Sequence, residues 1–382
     1  MKIGIDARMY SSGFTGIGRY TFELIRNLAK SDAKNEFVIF LNSPEFENFV
    51  PPASNFQKVR VDAEHYSLTE QIKFRRILNH EKLDLMHFTH FNSPIFYRGK
   101  SVTTIHDLTL SFFPGKKMND WLHRTAYNLV LKRGVKNASK IIAVSANTKK
   151  DLIKLLRTPS EKIEVVWNGV GREFIPAVPT ELSRKQLARD FGIEKSYLLY
   201  TGVWRDHKNI LGMLAAVAKL AEDTNFDGEL VITGKANPVY APEIFAKVKE
   251  LGLEKTVVFT GLVSDEDLRK LYQNARGFVF PSFYEGFGLP PIEAMSCGIP
   301  VAASNSSSIP EVCSKAAEYF DPRNIDEMAK AIWRIWNDES VRKKLTEAGA
   351  KRIWDFSWRK MTEATWQVYR EVLESGFLTQ ER

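Results

Sequence analysis

Short, almost wholly apolar runs alternate with amphipathic stretches twice along the 382 residues, and this repetition restricts the fold more than any other feature. The first series is KIGID (2–6), EFVIFL (36–41), LDLMHF (83–88), SVTTIH (101–106), KIIAVS (140–145) and IEVVWN (163–168). Tyr20–Ala29 and Ser67–Leu78, which lie between these runs, have the spacing of amphipathic helices. A connection with two prolines, GREFIPAVPTELS (171–183), precedes a second series. That series is SYLLYTG (196–202), GELVITG (228–234), TVVFTG (256–261), GFVFPS (277–282) and IPVAAS (299–304), with Asn209–Ala221 and Glu266–Asn274 as helices. Strands apolar on both faces belong in parallel sheets covered on both sides. The reading is α/β, with two Rossmann-like domains, 1–175 and 176–357, facing each other across a cleft. The tail from Ser357 reads as a helix with Trp358, Met361, Trp366 and Tyr369 as its apolar positions. Ligands of such sheets sit at the carboxyl ends of the strands.

No uncharged apolar run approaches the roughly 20 residues that span a bilayer. Two cysteines, Cys297 and Cys313, give neither a disulfide framework nor metal spacing, so the expected compartment is a reducing cytoplasm. The formal charge is +8, yet residues 112–162 alone hold twelve Lys and Arg against three acids. A solvated helix face explains this as well as a functional patch does. Phe112, Phe113 and Trp121 beside Lys116 and Lys117 suit an anionic membrane surface on the inner face of the cytoplasmic membrane. No nucleic-acid signature accompanies the charge.

Gly16 and Gly18 precede a helix after the first strand, where free N–H groups can meet an anion. A nicotinamide fingerprint would put its third glycine at Thr21, and the next strand ends at Asn42 where an acid is needed. Arg205 and Lys208 follow a strand and precede a helix, a place suited to a diphosphate. Asp265 and Asp267 spell a metal–diphosphate motif, but Ser264 as a helix N-cap with acids in the first turn explains them, so no metal is expected. His87 and His90 lack a third ligand and read as cleft or core polar residues.

The stretch PSFYEGFGLPPIEAMSCGIP (281–300) sets Glu285 and Glu293 around Gly286, Phe287, Gly288 and Leu289. Glycines let successive N–H groups turn toward an anion, and Pro290 or Pro291 starts a helix whose dipole adds positive potential. Glu293 is placed on that helix's first turn. One carboxylate on each side of an anion site matches a nucleoside diphosphate sugar, with Glu285 toward the sugar and Glu293 toward the ribose.

EGFGLPPIE resembles the Glu-x₇-Glu motif of the retaining glycosyltransferases of family 4. GIGRY (16–20), TIHD (104–107), AVSANTKKDL (143–152), NGV (168–170), RDHKN (205–209), TGK (233–235), FTGLVSDEDLRKLY (259–272) and IPVAASNSSSIPEV (299–312) extend the likeness over nearly the whole chain. The resemblance implies the GT-B architecture, with a C-terminal helix, about 358–382, crossing back to an acceptor-binding N-terminal domain. It implies transfer from a nucleotide donor with retention and without a divalent metal or cofactor. By position, Arg205 and Lys208 resemble the diphosphate-binding pair, Gly16 the glycine under the phosphates, His106 the histidine near the transferred sugar, and Val263 the residue at the base. The wording around 286–312 is similar to bacterial mannosyltransferases that use GDP-mannose to build surface polysaccharides on lipid-linked acceptors. A UDP-sugar enzyme and a non-catalytic nucleotide-sugar-binding module stay open as alternatives. A phosphorylase of the same architecture is a further alternative; it needs a pyridoxal lysine, and the sequence does not identify one.

Overall fold

The computed structural model describes residues 1–10, 16–63, 66–115, 121–171 and 173–374. The chain divides into two compact units, Met1–Leu108 with Lys117–Gly169 and Ser357–Arg382, and Thr109–Lys116 with Val170–Phe356. The stretch Thr109–Lys116, expected in the N-terminal domain, therefore groups with the second unit. Its Phe113 ring stacks on Phe283 at an interplanar angle of 8°.

The first unit holds a seven-stranded parallel sheet. Its strands are β1 (Lys2–Asp6), β2 (Glu36–Leu41), β3 (Phe56–Arg60), β4 (Leu85–Phe88), β5 (Ser101–Ile105), β6 (Lys140–Ala143) and β7 (Ile163–Val165), in the order β3-β2-β1-β4-β5-β6-β7. The second unit holds β8 (Tyr197–Thr201), β9 (Glu229–Thr233), β10 (Val257–Gly261), β11 (Gly277–Phe280), β12 (Val301–Ser304) and β13 (Ala317–Phe320), in the order β10-β9-β8-β11-β12-β13, again parallel. Each is a Rossmann-like sheet whose inner strands are apolar because helices cover both faces. β3 and β13 were not among the expected strands. Both are edge strands, and their polar residues, as in FQKVR and AEYF, break the continuous apolar run that marks an inner strand.

The terminal helix, described over Trp358–Glu374, lies in the first unit. Its outward residues are charged apart from Gln367, while Thr365, Val368, Tyr369 and Val372 are buried. It docks through polar as well as apolar contacts. The Tyr369 hydroxyl lies 2.5 Å from His87 Nδ1, His87 Nε2 lies 2.8 Å from Thr104 Oγ1, and Thr104 Oγ1 lies 3.0 Å from the Tyr20 hydroxyl. His87, expected in either a cleft or the core, is thus a satisfied core residue. A Cβ on Gly169 would come within 2.1 Å of the Trp358 backbone nitrogen, so the chain leaving this unit and the chain returning to it meet at a position that only glycine fits.

Burial, with a smaller contribution from the nearby His106, lowers the His87 pKa to about 3. The unfolded chain, with an ordinary histidine, takes up a proton that the folded chain refuses until near that value. Stability is therefore lost as pH falls from about 6.5 toward 3, by about 1.4 kcal/mol per pH unit for this one group. Urea unfolding between pH 7 and 5 is expected to show a shallower pH dependence in His87→Gln than in the parent, and parallel curves would contradict the assignment.

Candidate functional site

The candidate site of the second unit forms where β8 and β11 lie side by side. From β8 the chain winds outward through β9 and β10, and from β11 it winds the other way through β12 and β13. Loops leaving two such strands diverge and open a crevice at their carboxyl ends. Arg205 and Lys208 follow β8, and Glu285 follows β11. The sequence-predicted cation and acid meet directly: Lys208 Nζ donates to Glu285 Oε1 at 2.6 Å, with both side chains only 12% exposed. The ammonium also sits 5.6 Å from the centre of the Phe280 ring, the last residue of β11. Arg205 is exposed at the mouth of the same loop.

Neighbouring loops hold this pair in place. Residues 206–208 make one 3-10 turn, and Asn209 then takes a left-handed conformation (φ 53°) that asparagine tolerates. Its amide donates to the Pro281 and Pro322 carbonyls at 3.1 and 2.8 Å, and the Phe283 N–H donates to the His207 carbonyl at 2.8 Å. The loop after β12 grips the acid's backbone. The Glu285 N–H donates to Ser307 Oγ at 2.8 Å, while the Ser308 hydroxyl lies 3.0 and 2.8 Å from the Glu285 and Phe287 carbonyls. Asn209, Ser307 and Ser308 were not singled out from sequence; a run of serines at the end of an apolar strand was the available signal.

Gly288, at φ 105°, caps the helix Leu289–Ser296 and needs the freedom of glycine. Because the helix begins at Leu289, Pro290 and Pro291 occupy its second and third positions. Glu293 consequently falls on the second turn, not the first as expected. Its carboxylate accepts from the Tyr272 hydroxyl at 3.0 Å, a partner supplied by the helix Asp265–Asn274. Burial, aided by the Glu293 charge, raises the Tyr272 pKa well above the ordinary value and keeps the phenol a donor. Two further polar atoms at these strand ends, the Tyr200 hydroxyl and Ser282 Oγ, are buried with no partner among the described residues. Unsatisfied buried hydroxyls are costly. Val263 lies half-buried just beyond β10. Ser264 caps the helix that follows, accepting from the Asp267 N–H at 3.1 Å, and Lys270 pairs with Asp267 at 3.4 Å.

The remaining expected residues belong to the first unit. Gly16 opens the helix Gly16–Ser31 and Gly18 is buried in it. His106 follows β5, and its Nε2 lies 2.9 Å from the Thr89 carbonyl. A carbonyl only accepts, so Nε2 carries the proton and Nδ1 presents a lone pair. Tyr20 meets the imidazole edge-on at 4.9 Å. Burial lowers the His106 pKa against the opposing effects of the Thr89 hydrogen bond and Asp107, leaving the ring neutral at pH 7. Beyond β1, Arg8 makes a two-point pair with Asp6 (2.8 and 2.7 Å) and a further pair with Glu70, all buried. Residues 62 positions apart gave no sequence signal for it.

Residues 14–174 match the family described as Glycosyltransferase Family 4, and residues 183–352 match Glycosyl transferases group 1. O-antigen chain mannosyltransferase B of Escherichia coli is 31% identical over 392 aligned positions, covering 97% of this chain and all of that protein. Sucrose-phosphate synthase from Thermosynechococcus elongatus superposes with a TM-score of 0.80 at 21% identity, over 98% of this chain and 99% of that one. Anabaena Alr3699/HepE, solved in complex with UDP and glucose, gives a TM-score of 0.74 at 18% identity, over 97% of this chain and all of that one.

The serine clamp carries its own test. Ser308→Ala leaves buried carbonyls of the Glu285 loop short of a donor, an expected loss of about 1–3 kcal/mol. Urea unfolding of the variant measures it, and an unchanged midpoint would contradict the clamp.

Proposed function

The chain belongs to the family 4 glycosyltransferases, and from that membership we propose a retaining, metal-independent mannosyltransferase. Its donor is GDP-mannose, and its acceptor is a glycan or lipid-linked glycan in surface polysaccharide synthesis. It works in the cytoplasm against the inner face of the membrane, with no cofactor. The name of the Escherichia coli relative supports the sugar and the pathway class. The observation that carries the reading is the Lys208–Glu285 pair, with Glu293 on the adjoining helix, at the crevice between β8 and β11.

Breaking the bond between the anomeric carbon and the diphosphate builds negative charge on the leaving oxygen and positive charge on the sugar. Arg205, Lys208 and the N–H groups of Gly286, Phe287, Gly288 and Leu289 are assigned to the first. Gly16 and Gly18, by their position in the family motif, are assigned to phosphate contact through helix N–H groups. Fixed positive groups aimed at developing charge are the strongest stabilisers available to a site like this. Glu285 takes hydroxyls of the transferred sugar and Glu293 those of the ribose, while Val263 borders the base. The neutral His106, with Nδ1 as acceptor, is assigned a sugar hydroxyl by its position in the family motif. The acceptor oxygen forms its bond on the face the diphosphate leaves, and its proton passes to the departing phosphate oxygen, which gives retention. The alternative in which Glu285 forms a covalent glycosyl adduct predicts that such an adduct can be trapped.

A UDP-sugar donor is the second reading, favoured by the fold shared with the structure solved with UDP and glucose. Thermal stabilisation by GDP-mannose above that by UDP-glucose at equal concentration supports the first reading, and the reverse order supports the second. Turnover of labelled donor separates either from a binding module. Arg205→Ala and Lys208→Ala are each expected to cut kcat by about 10²–10³-fold, and near-normal turnover in both would overturn the assignment. Chelator is expected to leave the rate unchanged; loss that magnesium restores would refute metal independence.

A further inference from the structure

We infer that the aromatic cluster of Phe112, Phe113, Phe283 and Tyr284, with Arg323 at its edge, is a carbohydrate subsite of the second unit. It seats a pyranose ring of the acceptor glycan beside the Lys208–Glu285 pair. The inference rests on the proposed transferase reading and extends it to the acceptor.

The stretch SFFPG (111–115) supplies two of the rings. Its short helix, Thr109–Phe112, stops there because Pro114 drives the residue before it out of the helical region. Gly115 then turns at φ 66°, where a Cβ would come 2.9 Å from the Tyr240 hydroxyl. Phe112 packs on the Tyr284 ring at 4.9 Å, and Phe113 lies 6.1 Å from both the Phe283 and the His207 rings. His207 and Tyr284 immediately precede Lys208 and Glu285 in the chain, so the cluster adjoins both members of the ionic pair. Tyr284 is buried, yet Phe112 above it stays 43% exposed. On the other side the exposed Arg323 guanidinium lies 5.5 Å from the centre of the Phe283 ring and makes no ion pair among the described residues. Lys116 and Lys117, next in the chain, fall outside the described residues.

A firmly backed, open ring beside a planar cation suits a sugar. A pyranose offers C–H groups on one face and hydroxyls around its rim. The negative face of an aromatic ring attracts the first, and a guanidinium donates to the second. A nucleobase would also stack on Phe112, but its place is elsewhere. Val263, assigned to the base, follows β10, three strands from β11 and so roughly 14 Å along the sheet edge. Phe112 stands instead at the Glu285 end, where the transferred sugar is assigned and where an acceptor hydroxyl has to arrive.

The test is an NMR titration of the full chain with α-mannobiose, maltose and the acyclic polyol mannitol, each with and without GDP. The parent is expected to bind a disaccharide and not mannitol, because only a ring offers the C–H face. Phe112→Ala should weaken disaccharide binding about tenfold, and Phe112→Trp should keep it. Neither should move the GDP affinity. Arg323→Gln should weaken disaccharide binding by a smaller factor. Circular dichroism and thermal melts confirm that these variants, all at exposed positions, fold. No disaccharide binding by the parent, mannitol bound equally well, or unchanged affinity in Phe112→Ala would overturn the inference. So would a loss of GDP affinity in Phe112→Ala, which would make the ring a nucleobase contact. A parent that does not bind GDP counts against the proposed function, while the disaccharide titration without GDP still decides the subsite.

Discussion

The contact between Lys208 and Glu285 sets the terms for the rest of the second unit. Two ionic side chains this sheltered are costly to desolvate singly, and each makes the other tolerable. The pair therefore fixes the loop after β8 against the loop after β11, and it does so with groups whose charges suit opposite ends of one ligand. In the proposed reading a diphosphate brings its own negative charge to the ammonium, and sugar hydroxyls donate to the carboxylate. Both side chains in that reading keep a hydrogen-bonding partner on binding, because the ligand's groups replace the contact the two make with each other. The backbone contacts from Asn209, Ser307 and Ser308 serve the same end, since they hold the main chain of both loops without using either charged group.

Parallel sheets explain why residues so far apart in sequence converge. Every strand of such a sheet delivers its carboxyl end to the same edge, so the segments after β8, β10, β11 and β12 all open there. The first sheet does the same with the residues after β1, β4 and β5, where Arg8, His90 and His106 lie. In that unit the terminal helix reaches into the layer beneath His106 through Tyr369, His87, Thr104 and Tyr20. A buried chain of neutral polar groups of this kind tolerates one arrangement and penalises others, which pins the last helix to its sheet.

The inner strands were legible because burial on both faces leaves a continuous apolar run, and the Glu-x₇-Glu spacing was legible because glycines and prolines flag unusual backbone. The edge strands β3 and β13 escaped because solvent admits polar residues there. Glu293 was assigned one turn too early because two adjacent prolines are compatible with more than one starting residue, and Gly288 at positive φ decides between them. Arg8 with Glu70, and Ser307 and Ser308 with Glu285, were invisible for a different reason. They are pairings between distant segments, and no local pattern encodes which loops a sheet order brings together.

A crystal structure with a bound nucleoside diphosphate tests the central claim most directly. The account predicts diphosphate oxygens within hydrogen-bonding distance, about 3 Å, of Lys208 Nζ, with the ribose hydroxyls on the Glu293 carboxylate. A nucleotide bound elsewhere, with the Lys208–Glu285 contact untouched and Glu293 facing solvent, would contradict it.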